Sequence, residues 1–265
     1  MTSGEPEPGQ ASPKRANLLG TAVDLLSLEE TVALADRAMR ERRPKRHVAL
    51  NVAKLVKLRK DPELARDVSE SDIVGIDGMG IVYGLRMQGV AAERVSGCDL
   101  MFALFDHCAR KGFRPYILGA REQVLVLAID EARRRWPGLR FAGSCNGYFR
   151  PDEEADVVEA IRKSGADCLF VAMPTPRKER FLARWGADLE VPFVMGVGGS
   201  VDVLAGQVSR APDRWQRGGF EWLHRLLQEP RKMLWRYAST NTVFALLMLR
   251  DAVERKWTRN RVPRS

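Results

Sequence analysis

Asp77 stands directly after the apolar run IVGI and ahead of Gly78 and Gly80, in the turn DGMG. A carboxylate at a strand end, flanked by glycine, is held rigidly and stays within reach of a substrate, as a general base requires. The same place also suits the N-cap of a following helix, and spacing alone leaves both readings open. Asn51 ends another apolar run, HVALN. It divides in the same way between a hydrogen bond to a sugar hydroxyl and a helix cap.

A second group of residues suits anions. Gly196, Gly198 and Gly199 with Asp202 form a GxGGxxD turn after the apolar run VPFVMG. Glycine lets backbone N–H groups approach a diphosphate, and a helix N-terminus beyond the turn favours the negative charge. An ordinary tight turn has the same composition. The spacing fails the GxGxxG dinucleotide pattern, and GxxxxGK[ST] is absent, which argues against a P-loop enzyme. After LFVAM come Pro174, Pro176, Arg177, Lys178 and Glu179. Two prolines favour a rigid turn into a helix, and a carboxylate in a first helical turn is favourable in its own right. The functional alternative is a loop that touches ribose, base or donor sugar.

Arg210, Arg214, Arg217, Arg225, Arg231 and Arg236 are interrupted by Trp215, Trp222, Trp235 and Tyr237. Guanidinium forks grip phosphate oxygens bidentately, and Trp and Tyr favour a membrane interface. A solvated helical face and core anchors are the plainer alternatives.

An alternation of strands and helices must position these residues. SLEETVALADRAMRERR reads as a helix with a capping box at Ser27 and Glu30. Strands are expected at 47–51, 72–77, 114–120, within 139–149, at 167–173 and at 191–199. Helices are expected at 53–64, 80–88, 99–111, 122–136, 153–164 and 177–184. This predicts a Rossmann-like α/β fold, a mostly parallel sheet with helices on both faces. Ligands of such sheets sit beyond the strand carboxyl ends, where Asn51, Asp77, Gly119, Asn146, Pro174 and Gly198 fall. The expected organisation is a disordered tail at 1–16, a core at 17–206 and a helical appendage at 207–265, with helices at 219–227 and 229–256.

The chain has 265 residues and a net charge of +9, most of it after residue 206. That balance points to nucleic acid, an anionic membrane surface or phosphorylated substrates. No nucleic-acid motif is present, so nucleic acid is not an expected partner. Cys98, Cys108, Cys145 and Cys168 are scattered and only three histidines accompany them, so no metal is expected and a reduced cytoplasmic protein is. The N-terminus lacks an apolar signal region, and the run TVFALLML is far too short to span a bilayer.

Several ordered blocks resemble the WecB/TagA/CpsF family of bacterial glycosyltransferases, from about Arg46 to Tyr237. They are LN at 50–51, DGMGIV at 77–82, ERVSGCDL at 93–100, LGA at 118–120, NGYF at 146–149, MPTPRKE at 173–179, GVGGSVDVLAG at 196–206, RAPDRWQRGGFEWLHRL at 210–226 and EPRKMLWRY at 229–237. The resemblance implies metal-independent transfer, with inversion, of a sugar from a UDP-sugar to a polyprenyl-diphosphate-linked acceptor. The place implied is the inner face of the cytoplasmic membrane, in exopolysaccharide or other cell-surface polysaccharide assembly. No cofactor beyond the UDP-sugar substrate is implied, and a homo-oligomer is compatible with it.

By this resemblance Asp77 is the base, and Asn51, Arg94 and Lys178 belong to the acceptor pocket. Arg210, Arg225, Arg231 and Arg236 hold the lipid diphosphate. Gly119, Tyr148, Pro176, Glu179, Gly198, Gly199 and Asp202 are assigned to nucleotide and donor. Two positions depart from the family pattern: Ala49 stands where threonine is common, and Lys178 where glutamine is common. Donor identity is therefore not transferable. A non-catalytic scaffold that binds lipid-linked glycan or partner enzymes is the rival reading.

Overall fold

The computed structural model describes residues 14–217, 219, 221–228 and 230–259. A hairpin of β1 (Arg15–Leu18) and β2 (Thr21–Asp24) opens the chain, so Arg15 and Ala16, assigned above to a tail, are in a strand. Then follow α1 (Leu28–Glu41), β3 (Lys45–Leu50), α2 (Val52–Leu58), α3 (Pro62–Ser69), β4 (Ile73–Ile76), α4 (Met79–Met87) and α5 (Gly97–Lys111). The second half continues with β5 (Pro115–Gly119), α6 (Glu122–Arg135), β6 (Gly143–Cys145), α7 (Glu154–Ser164), β7 (Cys168–Ala172), α8 (Arg177–Trp185), β8 (Phe193–Gly196) and α9 (Ser200–Leu204). The appendage comprises α10 (Asp213–Arg217), α11 (Glu221–Gln228) and α12 (Pro230–Arg259).

Strands β3 to β8 form one six-stranded sheet in the order β4-β3-β8-β7-β5-β6, with every pair parallel. β7 and β8 are apolar along their length because helices cover both faces. Residues of α1, α5, α6 and α9 share one buried cluster. Side chains of α2, α3 and α4 fill a second on the opposite face, and α7 and α8 fill a third.

The capping box at Ser27 and Glu30 is present. The helix expected at 53–64 is instead two, because Asp61 caps a new start with Pro62 in its first turn. The hairpin covers the β4 edge of the sheet. Asp24 takes Arg15 Nε at 2.7 Å and the backbone N–H of Val74 at 2.7 Å, so an edge donor that would face water is satisfied.

α12 is apolar on two sides. Phe244 and Met248 face the core, where Phe244 Cζ lies 3.2 Å from the position a Cβ on Gly84 would take. Trp235, Leu246, Leu249, Val253 and Trp257 are exposed. At roughly 100° per residue these five lie on the side of the helix away from Phe244 and Met248. No helix among the described residues is long and apolar enough to cross a membrane.

Candidate active site

The carboxyl ends of the six strands make one ledge. Backbone hydrogen bonds continue past the strand ends, from Asp77 N to Leu50 O (2.9 Å), Val197 N to Val171 O (3.0 Å), Ala120 N to Ala172 O (3.1 Å) and Gly147 N to Ala120 O (2.9 Å). The ledge runs in the order Asp77, Asn51, Gly198, Pro174, Ala120, Asn146. With neighbouring strands about 4.8 Å apart, the two ends are roughly 24 Å from each other. α9 leaves β8 towards one face of the sheet, while α2 and α8 leave its neighbours β3 and β7 towards the other. Connections that part in this way open a crevice at the strand ends, here around Gly198.

Asp77 does not cap α4, whose N-cap position is Gly78, with no side-chain cap. Its Oδ1 accepts the backbone N–H of Gly97, the first residue of α5, at 2.9 Å. No hydrogen bond engages Oδ2 among the described residues. One oxygen is fixed and the other is open, an arrangement suited to taking a proton. Asn51 does cap: its Oδ1 accepts Lys54 N at 3.0 Å. It is also adjacent to the Asp77 turn, since a Cβ on Gly78 would lie 3.3 Å from Asn51 Cβ.

The glycine turn divides by role. A Cβ on Gly196 would meet Lys178 Cε at 2.5 Å, so this glycine makes room for a lysine stem. Gly198, at φ +52°, faces open space and is the member that a ligand can approach. Gly199 begins α9 without a side-chain cap, and Asp202 lies half-buried in its first turn. Gly97 sits beside both Asp77 and the start of α9, with Asp77 Oδ1 4.0 Å and Ser200 Oγ 3.9 Å from where its Cβ would be.

Pro176 follows a cis peptide bond after Thr175. Beyond it, Lys178 and Glu179 are buried. Lys178 Nζ lies 2.8 Å from Glu179 Oε1 and donates to Thr175 Oγ1 at 2.9 Å. Lys54, not singled out from the sequence, reaches the same Glu179 oxygen at 2.8 Å. Burial alone would raise the Glu179 pKa, but the charges of Lys54 and Lys178 outweigh it and hold the group at about 2. Among the described residues Glu179 Oε2 and Asp67 Oδ2 have no hydrogen-bond partner, and Glu179 and Asp67, with Arg46, line one small cavity of about 10 Å³, room for a single water. Thus Lys178 and Glu179, assigned above to acceptor and donor, are first of all each other's partners.

At the far end, Arg177 ties two loops together, donating to Gly147 O at 2.8 Å and Phe149 O at 2.9 Å. Gly119 carries φ +124°, and a Cβ there would strike the Ala172 carbonyl at 2.5 Å. Tyr148 is 70% exposed, and its hydroxyl receives Arg121 Nε at 3.4 Å. That bond, and more weakly the charge of Asp202, raises the Arg121 pKa. Arg121 thus adds a cation to this end that sequence reasoning missed, although it directly follows the LGA strand end.

The appendage closes over the Asp77 end. Gly219 packs on Met79 and Tyr83, with a Cβ 3.1 Å from Met79 Cγ. Arg94 Nη1 donates to Glu221 Oε2 at 2.6 Å, so this expected acceptor-pocket residue is engaged by α11. Arg210 is paired with Asp99 in the first turn of α5 rather than standing free. Arg231 is exposed. The side chains of Arg225 and Arg236 lie outside the described residues. Trp222 packs edge-on against Tyr237 and Trp215 against His224, each pair at 6.0 Å, so these aromatics bind the appendage to itself.

A wide cavity of about 510 Å³ lined by Arg15, Asn17, Gln88 and Arg255 touches none of the strand-end residues. No group of three or more His, Cys, Asp or Glu among the described residues is placed to hold a metal ion. The family model of the glycosyl transferase WecG/TagA/CpsF family matches residues 16–258, the hairpin, the sheet and nearly all of the appendage. A match over that much of the chain identifies it as a member of this family of glycosyltransferases.

Proposed function

We propose that the chain transfers a sugar from a UDP-sugar to a hydroxyl of a polyprenyl-diphosphate-linked acceptor, with inversion, in exopolysaccharide or other cell-surface polysaccharide assembly. Family membership supports a glycosyltransferase of cell-surface polysaccharide synthesis acting on a nucleotide-sugar and a lipid-linked acceptor. The observation that carries the finer reading is the one-point anchoring of Asp77 on Gly97, next to Asn51 and beneath the appendage.

In this reading the open oxygen of Asp77 takes the proton of the acceptor hydroxyl. The hydroxyl oxygen attacks the anomeric carbon as the bond to the diphosphate breaks, and UDP leaves with the electron pair. A single displacement from the opposite side inverts that carbon. Backbone N–H groups at Gly198 and Gly199, with nearby cationic side chains, stabilise the departing charge, and no step asks for a metal. Asn51 orients the acceptor through its amide nitrogen, because its oxygen is occupied by the cap.

The exposed stripe of α12 supports a position on the membrane surface. Its apolar side chains, with Trp235 at one end and Trp257 at the other, suit an interfacial rather than a spanning helix. A chain lying there on the cytoplasmic side would meet its lipid-linked acceptor directly.

The test is UDP release from a panel of UDP-sugars with membrane extract supplying the acceptor, comparing wild type with Asp77→Asn. Release from one donor, lost in the variant, is expected. Equal release by the two proteins would remove Asp77 as the base. Transfer that requires a different nucleotide-sugar would overturn the donor assignment.

A further inference from the structure

Arg177 holds the peptide on both sides of an exposed tyrosine. Its Nη1 donates to Gly147 O at 2.8 Å and its Nη2 to Phe149 O at 2.9 Å, while the guanidinium carbon lies 4.7 Å from the centre of the Phe149 ring. The two carbonyls are two residues apart, and a planar fork reaches both at once where a lysine would reach one. From the other side, Gly147 N donates to Ala120 O at 2.9 Å, and a Cβ on Gly147 would lie 3.1 Å from Gly119 Cα. Tyr148 N donates to Asn146 Oδ1 at 2.9 Å, and Asn146 Nδ2 to Glu122 Oε2 at 3.0 Å. The backbone from Asn146 to Phe149 is thus tied to β5, α6 and α8. Yet the Tyr148 residue it carries is 70% exposed. A ring displayed in this way offers a flat apolar face whose backbone is already ordered. The loop rests over the end of β5, two strands from the Gly198 turn on β8, or roughly 10 Å at the usual strand spacing. That is the reach from a diphosphate to the base of the same nucleotide.

We propose that Arg177 is a positioning residue that acts through Tyr148, holding the ring in place to stack on the base of the nucleotide whose diphosphate lies at Gly198. The inference rests on the UDP-sugar reading for the identity of that nucleotide, and adds the device that orients its base. Stacking is strongest when the face is in place before the base arrives. Without the fork, the peptide planes at 147 and 149 turn more freely and the ring swings with them. Part of the stacking energy then goes into ordering the loop. Every base has a π face, so this device contributes affinity rather than the choice of base. It acts at the end of the ledge away from Asp77, and therefore on binding of the donor rather than on the proton transfer.

The experiment is calorimetric binding of UDP, ADP and inorganic diphosphate to the full chain, in wild type, Arg177→Lys, Tyr148→Ala and the double variant. Tyr148→Ala, at an exposed position, leaves the core intact and should weaken UDP by about tenfold, within the range for one base on one aromatic ring. Arg177→Lys keeps the charge but loses the fork, and should weaken UDP by about fivefold, the effect of having to order one side chain on binding. In the double variant the loss from Arg177→Lys should vanish, since a residue that acts through another has nothing left to act on. Inorganic diphosphate should bind all four proteins alike. A merely structural arginine would weaken both kinds of ligand, or add its loss to that of Tyr148→Ala. In turnover, Arg177→Lys should raise the donor KM and leave kcat nearly unchanged. If Arg177→Lys does not fold, Arg177→Gln, which retains a donor, takes its place. Unchanged UDP affinity in Tyr148→Ala, additive losses in the double variant, or a parallel fall in diphosphate affinity overturns the proposal. Binding of neither nucleotide also overturns it, while UDP release in turnover would still uphold the transferase. The same coupling with ADP, and no binding of UDP, would instead overturn the UDP-sugar reading and leave the role of Arg177 standing.

Discussion

Gly97 donates its backbone N–H to Asp77 Oδ1 at 2.9 Å, so the strand-end carboxylate is fixed by the first residue of a helix that starts twenty positions later. The contact makes Asp77 rigid without using both of its oxygens. Asp77→Asn keeps an acceptor for Gly97 and should leave the melting temperature unchanged while turnover drops by about 10²–10⁴-fold, the usual worth of general base catalysis. Asp77→Glu retains the charge but moves the oxygens by one methylene, and should also lose about 10²-fold. Full activity in Asp77→Glu would show that position is not critical.

The Arg94–Glu221 pair, at 2.6 Å, joins the core to α11. Its side chains are 16% and 30% exposed, so screening limits its value to about 1 kcal/mol. Glu221→Gln should therefore shift the docking of the appendage by roughly fivefold. Limited proteolysis after residue 206 should speed up by that factor, and activity on lipid-linked acceptor should fall. An unchanged cleavage rate would mean that Gly219 and α12 hold the appendage without this pair.

The outer stripe of α12 should govern attachment to vesicles. Leu246 and Leu249 are each 62% exposed, so replacing both with glutamate should not disturb the core. Co-sedimentation with anionic vesicles should drop at least about tenfold, because apolar contact is lost and negative charge added. Phe244→Ala acts on the opposite side, removing the ring that packs over Gly80 and Gly84. It should loosen α12 from the core by about 2 kcal/mol, read as faster proteolysis. Vesicle binding unaffected by the glutamates would place the membrane contact elsewhere.

His47 provides an acid switch in stability. It is fully buried, Nδ1 has no hydrogen-bond partner among the described residues, and burial first, then the Lys54 charge, depress its pKa to about 4. The unfolded chain takes up this proton near pH 6.5 and the folded one only near 4. His47 thus adds stability that is complete above about 6.5 and lost as pH falls to about 4, roughly 3 kcal/mol in all. Denaturant titrations should show wild type losing about 2 kcal/mol more than His47→Leu between about pH 7 and about pH 4.5. Equal losses would assign the acid sensitivity to carboxylates such as Glu179, whose own window lies between 4.5 and about 2.

Local signals in the chain determined the elements. Ser27 with Glu30 marked a helix start that forms as written, and the strand ends at Asn51, Asp77 and Gly198 were visible as apolar runs closed by a polar residue or glycine. The break at Asp61–Pro62 was also written there, but the apolar pattern across 53–64 concealed it. These features depend on hydrogen bonds and side-chain periods a few residues long, which neighbouring residues settle among themselves. Tertiary structure decided the rest. The order β4-β3-β8-β7-β5-β6 sets Asp77 beside Asn51 and brings Lys54 to Glu179, 125 positions away in the chain. It also pairs Arg210 with Asp99 and Arg94 with Glu221, so two arginines that read as ligand grips serve to seat the appendage. Gly196, read as part of an anion-binding turn, is small because a lysine stem crosses it. A charge or a glycine has no preferred distant partner until the strand order determines which groups share a site with little water, and there the need to satisfy every buried charge selects the pairs.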